Sequence, residues 1–297
     1  MGASDLIKAL RNALRGGRPH IRIRSRQRDT FTNLIMTAPS SRYLKRKTVM
    51  MLHKFIESIG KRFGIVIIPD WRAVRLVEER HLARLLQHLK VDCVFDVGAN
   101  VGQYGHMLRE YVGYGGRIVS FEPNPAVLGQ LEEAASRDPQ WHVERIGLGS
   151  AAGMAEFHAY DLSELGSFRS FGASEHAPQN TASKTITVPI QTLESYMVEA
   201  RRRWCFKRPF LKLDTQGFDL EVAKGAGQAL REFVGLQSEI AFQPIYDDAP
   251  DYLSALNFYQ SAGFVISRLV PIHEIHFPQL VEMDVIMVRA DLAKLPG

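Results

Sequence analysis

The sequence predicts an α/β fold built on a doubly wound, mostly parallel sheet, and three observations predict it. An apolar run, Val91–Val97, is broken only by Asp92 and Asp96 and leads straight into the glycines of VDCVFDVGANVGQYG. A second short run, Arg117–Phe121, ends on Glu122, 24 positions after Gly98. Beyond it, strand-like and helix-like stretches alternate as far as Arg289, the pattern of helices packed on both faces of a sheet.

The chain begins with a basic stretch. Residues 1–64 hold fifteen Lys/Arg against three Asp/Glu, a balance of +12, while the remaining 22 against 29 give −7. Arg18–Arg28 is too charged for a core strand and reads as an exposed arm. In Tyr43–Gly60, Leu44, Met51, Leu52, Phe55, Ile56 and Ile59 recur at three- and four-residue spacing among Lys45, Arg46, Lys47 and Lys54. That is a basic amphipathic helix, and its short apolar stripe favours packing on a folded neighbour over lying in a membrane interface. Gly64–Pro69 reads as a short extended segment. The expected organisation is therefore a basic, mainly helical N-terminal extension over residues 1–72 and a second domain over 73–297.

Arg75–Leu89 places Leu76, Leu82, Leu85, Leu86 and Leu89 on one helical side and feeds the first strand. Val91–Val97 carries too few polar residues to face water, so it reads as buried on both faces. Gln103–Tyr111 continues as helix, Arg117–Phe121 is the second strand, and Pro125–Ser136 is a helix. Trp141–Gly147 is expected as the third strand and Met154–Tyr160 as a further strand or sheet extension. Asp161–Lys184 is rich in Ser, Gly and Ala without periodicity, and a loop this long in a compact domain is usually functional. Thr185–Ile190 alternates as a strand. A helix opening at Thr192 ends on Arg201-Arg202-Arg203, charges suited to a helix C-terminus. Phe210–Leu213 and Val234–Ile240 are the fourth and fifth strands, separated by a helix from Leu220. Tyr252–Gly263 is a helix closed by glycine, and Phe264–Val270 and Met283–Arg289 are the two closing strands.

With 297 residues and 45% hydrophobic content the chain can bury a large core. It has no apolar run of ~18 residues, the length that spans a bilayer. MGASDLIKAL lacks a secretory h-region, and the two cysteines, Cys93 and Cys205, make no disulfide framework or metal spacing. A cytoplasmic protein is the expectation. The charge of the arm adds peripheral contact with the inner face of an anionic membrane through residues 1–64.

In open α/β sheets ligands bind at the carboxyl ends of the strands, where the strand order reverses. Residues 96–102, 122, 147–149, 214–217 and 239–243 all fall at such ends and should converge on one crevice. The first turn is Asp96-x-Gly98-Ala99-Asn100-x-Gly102, not G-x-G-x-x-G, so glycine is missing where a dinucleotide's pyrophosphate would approach. A carboxylate at the strand end repels phosphate and suits a cationic amino-acid ligand. Both facts favour S-adenosylmethionine over NAD, with Glu122 at the second strand tip accepting from a ribose diol.

FDVGANVGQY, SFEPNP and LKLDTQGFDLEVAKGA resemble, in order, the motif set of the FkbM family of S-adenosylmethionine-dependent methyltransferases, over about Val91 to Val288. The resemblance implies a Rossmann-like, seven-stranded class I methyltransferase sheet and O-methylation of hydroxyls on sugars, glycolipids or polyketides. It also implies substrate-side residues around Ser163–Ser170. The candidate cofactor set is Asp96, Gly98, Asn100, Gly102, Glu122, Asn124, Gly147 and Ser167. Asp214, leaving the fourth strand, is the first choice to orient or deprotonate the acceptor, its alternative role being a helix cap. Lys212 either pairs with Asp214 or, if desolvated, acts as a base itself. Glu239 is the second carboxylate on that rim. Asp214 and Glu239 together would be the ligands of a magnesium ion, a reading disfavoured because no third oxygen ligand is identifiable. His273 and His276 lack the spacing of a zinc motif.

Two other classes compete. A nucleic-acid methyltransferase would use the arm on phosphate, but the arm lacks interleaved aromatics and the chain lacks an Asn/Asp-Pro-Pro-aromatic motif. A catalytically silent, membrane-docked nucleotide-binding scaffold has no need of the Asp96/Gly98/Gly102/Glu122 set.

Overall fold

The computed structural model describes residues 73–173, 176–177, 182–243, 245–272 and 278–293. The expectations for Arg18–Arg28, Tyr43–Gly60, Gly64–Pro69, His273 and His276 lie outside the described residues.

Helix α1 (Ala73–His88) precedes strand β1 (Cys93–Val97). Leu82, Leu86 and Leu89 are buried and Leu76 and Leu85 half-buried, so the expected leucine stripe is the packed one. There follow α2 (Gln103–Met107), which runs on as a π-turn over Leu108–Val112, then β2 (Arg117–Phe121), α3 (Pro125–Ala135) and β3 (Trp141–Glu144). Next come β4 (Gly147–Leu148), β5 (Gly153–Tyr160), β6 (Ser183–Gln191), α4 (Leu193–Arg203) and β7 (Pro209–Leu213). The described chain closes with α5 (Asp219–Gly225), β8 (Gly235–Ala241), α6 (Tyr252–Ser261), β9 (Phe264–Pro271) and β10 (Glu282–Arg289).

The main sheet has seven strands in the order β3-β2-β1-β7-β8-β10-β9, a Rossmann-like arrangement. β10 runs antiparallel between β8 and β9, and the other neighbours pair in parallel. Alternate residues of each strand serve opposite faces. Val94, Ile118, Phe210 and Ile286 pack under α1, α2 and α3 through Leu82, Tyr104 and Leu131. Phe95, Phe121, Leu211 and Val285 pack under α4, α5 and α6 through Tyr196, Val222 and Tyr259. Phe95 is fully buried and meets Phe233 edge-on at 5.4 Å and Phe121 stacked at 6.1 Å. Burying such a ring contributes about 1.5–3 kcal/mol.

The third strand departs from expectation. It stops at Glu144, and Gly147–Leu148 leaves to pair in parallel with β6 in a separate three-stranded sheet, order β4-β6-β5. β3 is an edge strand, so no outer neighbour holds the chain in the main sheet beyond Glu144. The basic run at the end of α4 is tied down as a terminus: Arg203 bonds Glu144 at 2.6 Å and lies 4.4 Å over the Trp204 ring. Among the described residues no helix is long and apolar enough to cross a membrane.

Candidate active site

The strand order reverses at β1, whose neighbours are β2 on one side and β7 on the other. The loops leaving β1 and β7 meet there. Asp214 N donates to Val97 O at 3.1 Å, and Gly98 N and Ala99 N both donate to Phe121 O at 3.1 Å. Gly98 has φ +78, and a Cβ on it would land on the Asp214 carbonyl, so the crossing of the two loops requires glycine. Gly102, at φ +92, starts α2 with the Trp141 ring 3.1 Å from where its Cβ would lie.

Glu122 joins the first two strand ends. Its Oε2 accepts from Asn100 N at 2.7 Å and its Oε1 from Asn124 N at 2.8 Å. Burial pushes its carboxyl up to about 7 against those two donors. Asn124 caps α3, Oδ1 accepting from Ala126 N at 3.1 Å. Asn100 is held in the left-handed region at φ +48. Its side-chain Oδ1 and Nδ2 are shielded from solvent with no hydrogen-bond partner among the described residues. An amide left unpaired in a glycine loop is an unmet donor and acceptor at the point where a ligand would enter.

Asp96 is fully buried. It lies in register with Ser120 on one side and Lys212 on the other, and Oδ2 accepts from Ser120 Oγ at 2.9 Å. Lys212 Nζ stands 3.4 Å from Asp96 Oδ1, 3.1 Å from Asp214 Oδ2 and 5.1 Å above the Tyr104 ring. The Tyr104 hydroxyl donates to Gln237 Oε1 at 3.0 Å, and Gln237 Nε2 donates to Glu78 Oε1 at 2.7 Å. Burial works against the charge of Lys212, but Asp214 and Asp96 outweigh it and hold the ammonium above its ordinary range. Of the two roles expected for Lys212, pairing with Asp214 is the one observed. An ammonium clamped by two carboxylates does not fit the role of a base.

Past β7, Gln216 Nε2 donates to Asp214 Oδ1 at 2.9 Å and to Glu239 Oε2 at 3.1 Å. Asp219 ties this loop to β8. Its Oδ1 accepts from Thr215 N (2.7 Å) and Thr215 Oγ1 (2.6 Å), its Oδ2 from Ser238 Oγ (2.9 Å) and Glu239 N (3.0 Å). Asp284 of β10 stands opposite Glu239 in the ladder, and Glu282 lines the same cleft. Burial, followed by Glu282, Asp214, Asp284 and Asp219, pushes the Glu239 carboxyl well up. Among the described residues no group of three or more His, Cys, Asp or Glu is arranged to hold a metal ion. Asp214 and Glu239 share the Gln216 amide.

Ser167 is buried, and its Oγ donates to Gln216 O at 2.7 Å, which ties it to the β7 loop. Gly147 belongs to the small sheet, with the Phe168 ring filling the space beside its Cα. Sequence reasoning placed Gln216 at the crevice only as part of 214–217, without a role, and missed Asp219, Tyr246, Glu282 and Asp284. Asp219, four residues after Thr215 in the first turn of a helix, is the one that spacing could have flagged.

A profile of the Methyltransferase FkbM domain matches residues 96–266. The hexuronic acid methyltransferase AglP of Haloferax volcanii is 27% identical over 182 residues, 59% of this chain and 68% of that protein. Among solved structures, methyltransferase FkbM from Methylobacillus flagellatus is similar at 17% identity and a TM-score of 0.43 over 66% of this chain. This chain spans 43% of the length of that one. Magnesium protoporphyrin IX methyltransferase from Synechocystis, solved with bound S-adenosylmethionine, is similar at 11% identity and a TM-score of 0.39, over 81% of this chain and 96% of that one.

Proposed function

The chain belongs to the FkbM methyltransferase family, and from that premise we propose that it moves a methyl group from S-adenosylmethionine to a hydroxyl of a sugar or a sugar-bearing lipid. The observation that carries the reading is the crossing of the Gly98 loop over Asp214. That crossing brings the glycine loop beside a half-exposed carboxylate just past the neighbouring strand, which supports the reading. The relative that acts on hexuronic acid supports a sugar acceptor.

The residues fit the cofactor. Asn100 offers an unpaired amide, and each Glu122 oxygen accepts one backbone N–H and keeps a lone pair for a ribose hydroxyl. Gly98 and Gly102 shape the loop, Asn124 N holds Glu122 in place, and Asp96 holds Lys212. When bound, the cofactor supplies an activated methyl group on a sulfonium. Asp214 is the group that would accept the acceptor's hydroxyl proton. Lys212, fixed by Asp96, holds Asp214 Oδ2 in place. Glu239 borders the acceptor cleft with Tyr246 and Glu282.

Full-length protein incubated with methyl-labelled S-adenosylmethionine and a panel of neutral and uronic acid glycosides should yield a labelled, base-stable methyl ether. Label released by mild alkali would mean an ester, and the hydroxyl reading would fall. Absence of S-adenosylhomocysteine binding at millimolar concentration by calorimetry would remove the cofactor assignment altogether.

A further inference from the structure

The bonds around Gln216 reach four separate elements. Its Nε2 serves Asp214 at the end of β7 and Glu239 on β8, at 2.9 and 3.1 Å. Its Oε1 accepts from the Tyr246 hydroxyl at 2.8 Å, and Tyr246 belongs to the segment after β8. Its main-chain carbonyl accepts from Ser167 Oγ at 2.7 Å, in the loop after β5. The residue itself sits at φ +54, in the left-handed region that non-glycine residues seldom occupy, and Gly217 follows at φ +81. Such a conformation persists only where its surroundings over-determine it.

We propose that Gln216 is a positioning residue of the acceptor site: one amide gives one N–H to Asp214 and the other to Glu239, and so holds the two carboxylates as a fixed pair. The proposal rests on the reading of Asp214 as the acceptor-side base. A side-chain amide has two N–H donors and one carbonyl, and here all of them are used. Turned over, the amide would set its carbonyl against the Asp214 carboxylate and leave Tyr246 without its acceptor.

Charge explains why a neutral donor stands there. Glu239 is faced by Asp214 from the β7 loop, Asp219 from α5, and Glu282 and Asp284 from β10. Lys212 is already engaged with Asp214 and Asp96. An amide in this position orients both carboxylates and adds no further charge to them.

Two isosteric substitutions and one removal of a hydroxyl test the proposal on the full chain. Gln216→Met keeps the length and loses both donors. Gln216→Glu restores a donor only while the introduced carboxyl is protonated. Tyr246→Phe removes only the bond that orients the amide. The first readout needs no acceptor: carbonyl-labelled Glu and Asp are titrated by NMR, with Glu239 assigned by Glu239→Gln. Loss of an N–H from its charged form should raise the Glu239 midpoint by about one unit in Gln216→Met, and by less in Tyr246→Phe. The second readout is methyl transfer to p-nitrophenyl β-glucuronide. Here kcat should fall about 10–100-fold in Gln216→Met with KM for S-adenosylmethionine within about twofold, and in Gln216→Glu it should fall increasingly as pH rises. If Gln216→Met does not fold, the Tyr246→Phe titration decides. A Glu239 midpoint unmoved in the folded variants overturns the proposal. Absence of transfer by the unsubstituted protein counts against the methyl-transfer reading, and the titration still decides the role of Gln216.

Discussion

The ammonium of Lys212 stands 3.4 Å from Oδ1 of Asp96, and at 6% and 0% exposure neither side chain is open to solvent. A pair this deep is weak evidence of stabilisation, because removing two charges from water offsets most of their attraction. Breaking it is another matter. Lys212→Met should cost about 3–5 kcal/mol, since Asp96 is left charged and buried. Lys212→Met combined with Asp96→Asn should recover at least half of that loss in urea denaturation. Equal stability of the single and double variants would show that the pair is not coupled.

Glu122 should make both stability and ligand affinity depend on pH. Its carboxyl is raised to about 7 in the folded chain from an ordinary 4.5. The folded state therefore holds the proton more tightly, so this contribution is complete below about pH 4.5 and is lost as pH rises through 7. It amounts to roughly 3 kcal/mol, and Glu122→Gln should flatten the slope between about pH 5 and 8. Ligand hydroxyls donate to the charged form, so S-adenosylhomocysteine should bind more tightly up to about pH 7 and then level off. Glu122→Ala should weaken binding by roughly 1.5–3 kcal/mol by calorimetry. A change within about threefold would leave Glu122 a structural tie between loops.

Two glycines at nearly the same φ separate conformation from close approach. Gly98 and Gly113 have φ +78 and +74, but only Gly98 has a backbone carbonyl where a Cβ would go. Gly113→Ala should cost about 1 kcal/mol, the left-handed penalty alone. Gly98→Ala has to part the β1 and β7 loops as well, and should both lower the melting temperature further and abolish S-adenosylhomocysteine binding. Similar costs at the two positions would mean that the crossing is pliable.

For the basic extension we propose docking on an anionic surface. Each Lys or Arg near such a membrane contributes about 1 kcal/mol. Full-length protein should sediment with vesicles containing phosphatidylserine at low salt and be released as salt shortens the Debye length from about 10 Å at 0.1 M. Replacing Lys45, Arg46 and Lys47 together by Gln should weaken partitioning by up to about a hundredfold. Partitioning that ignores both salt and the triple substitution would refute the idea.

What the sequence made legible follows from how local each feature is. The strands of the main sheet are apolar runs set off by turn residues. Gly98, Gly102 and Glu122 can be recognised from spacing because the backbone near them demands it. The bond between Lys212 and Asp96 was not legible, since it depends on the register between β1 and β7, which bring together residues 116 positions apart. The same is true of Gln216. Its neighbours Asp214 and Glu239 were visible as rim carboxylates, but the amide between them appears only once β7, β8 and Tyr246 are assembled. The early exit of β3 also escaped, because pairing with β6, some forty residues on, decides it.

The position of β10 has a consequence during synthesis. It enters between β8 and β9, pairing Glu282 with Ala241 on one side and Arg289 with Phe264 on the other. Until those residues leave the ribosome, β8 and β9 are two unfilled edges, open to wrong pairing with each other or with a neighbouring nascent chain. Glu282 and Asp284 arrive on this same strand, so the acidic wall of the cleft is completed by the event that closes the sheet. A chain released early would therefore be not a slower enzyme but a sticky, open half-sheet, a natural target for holding chaperones and proteases.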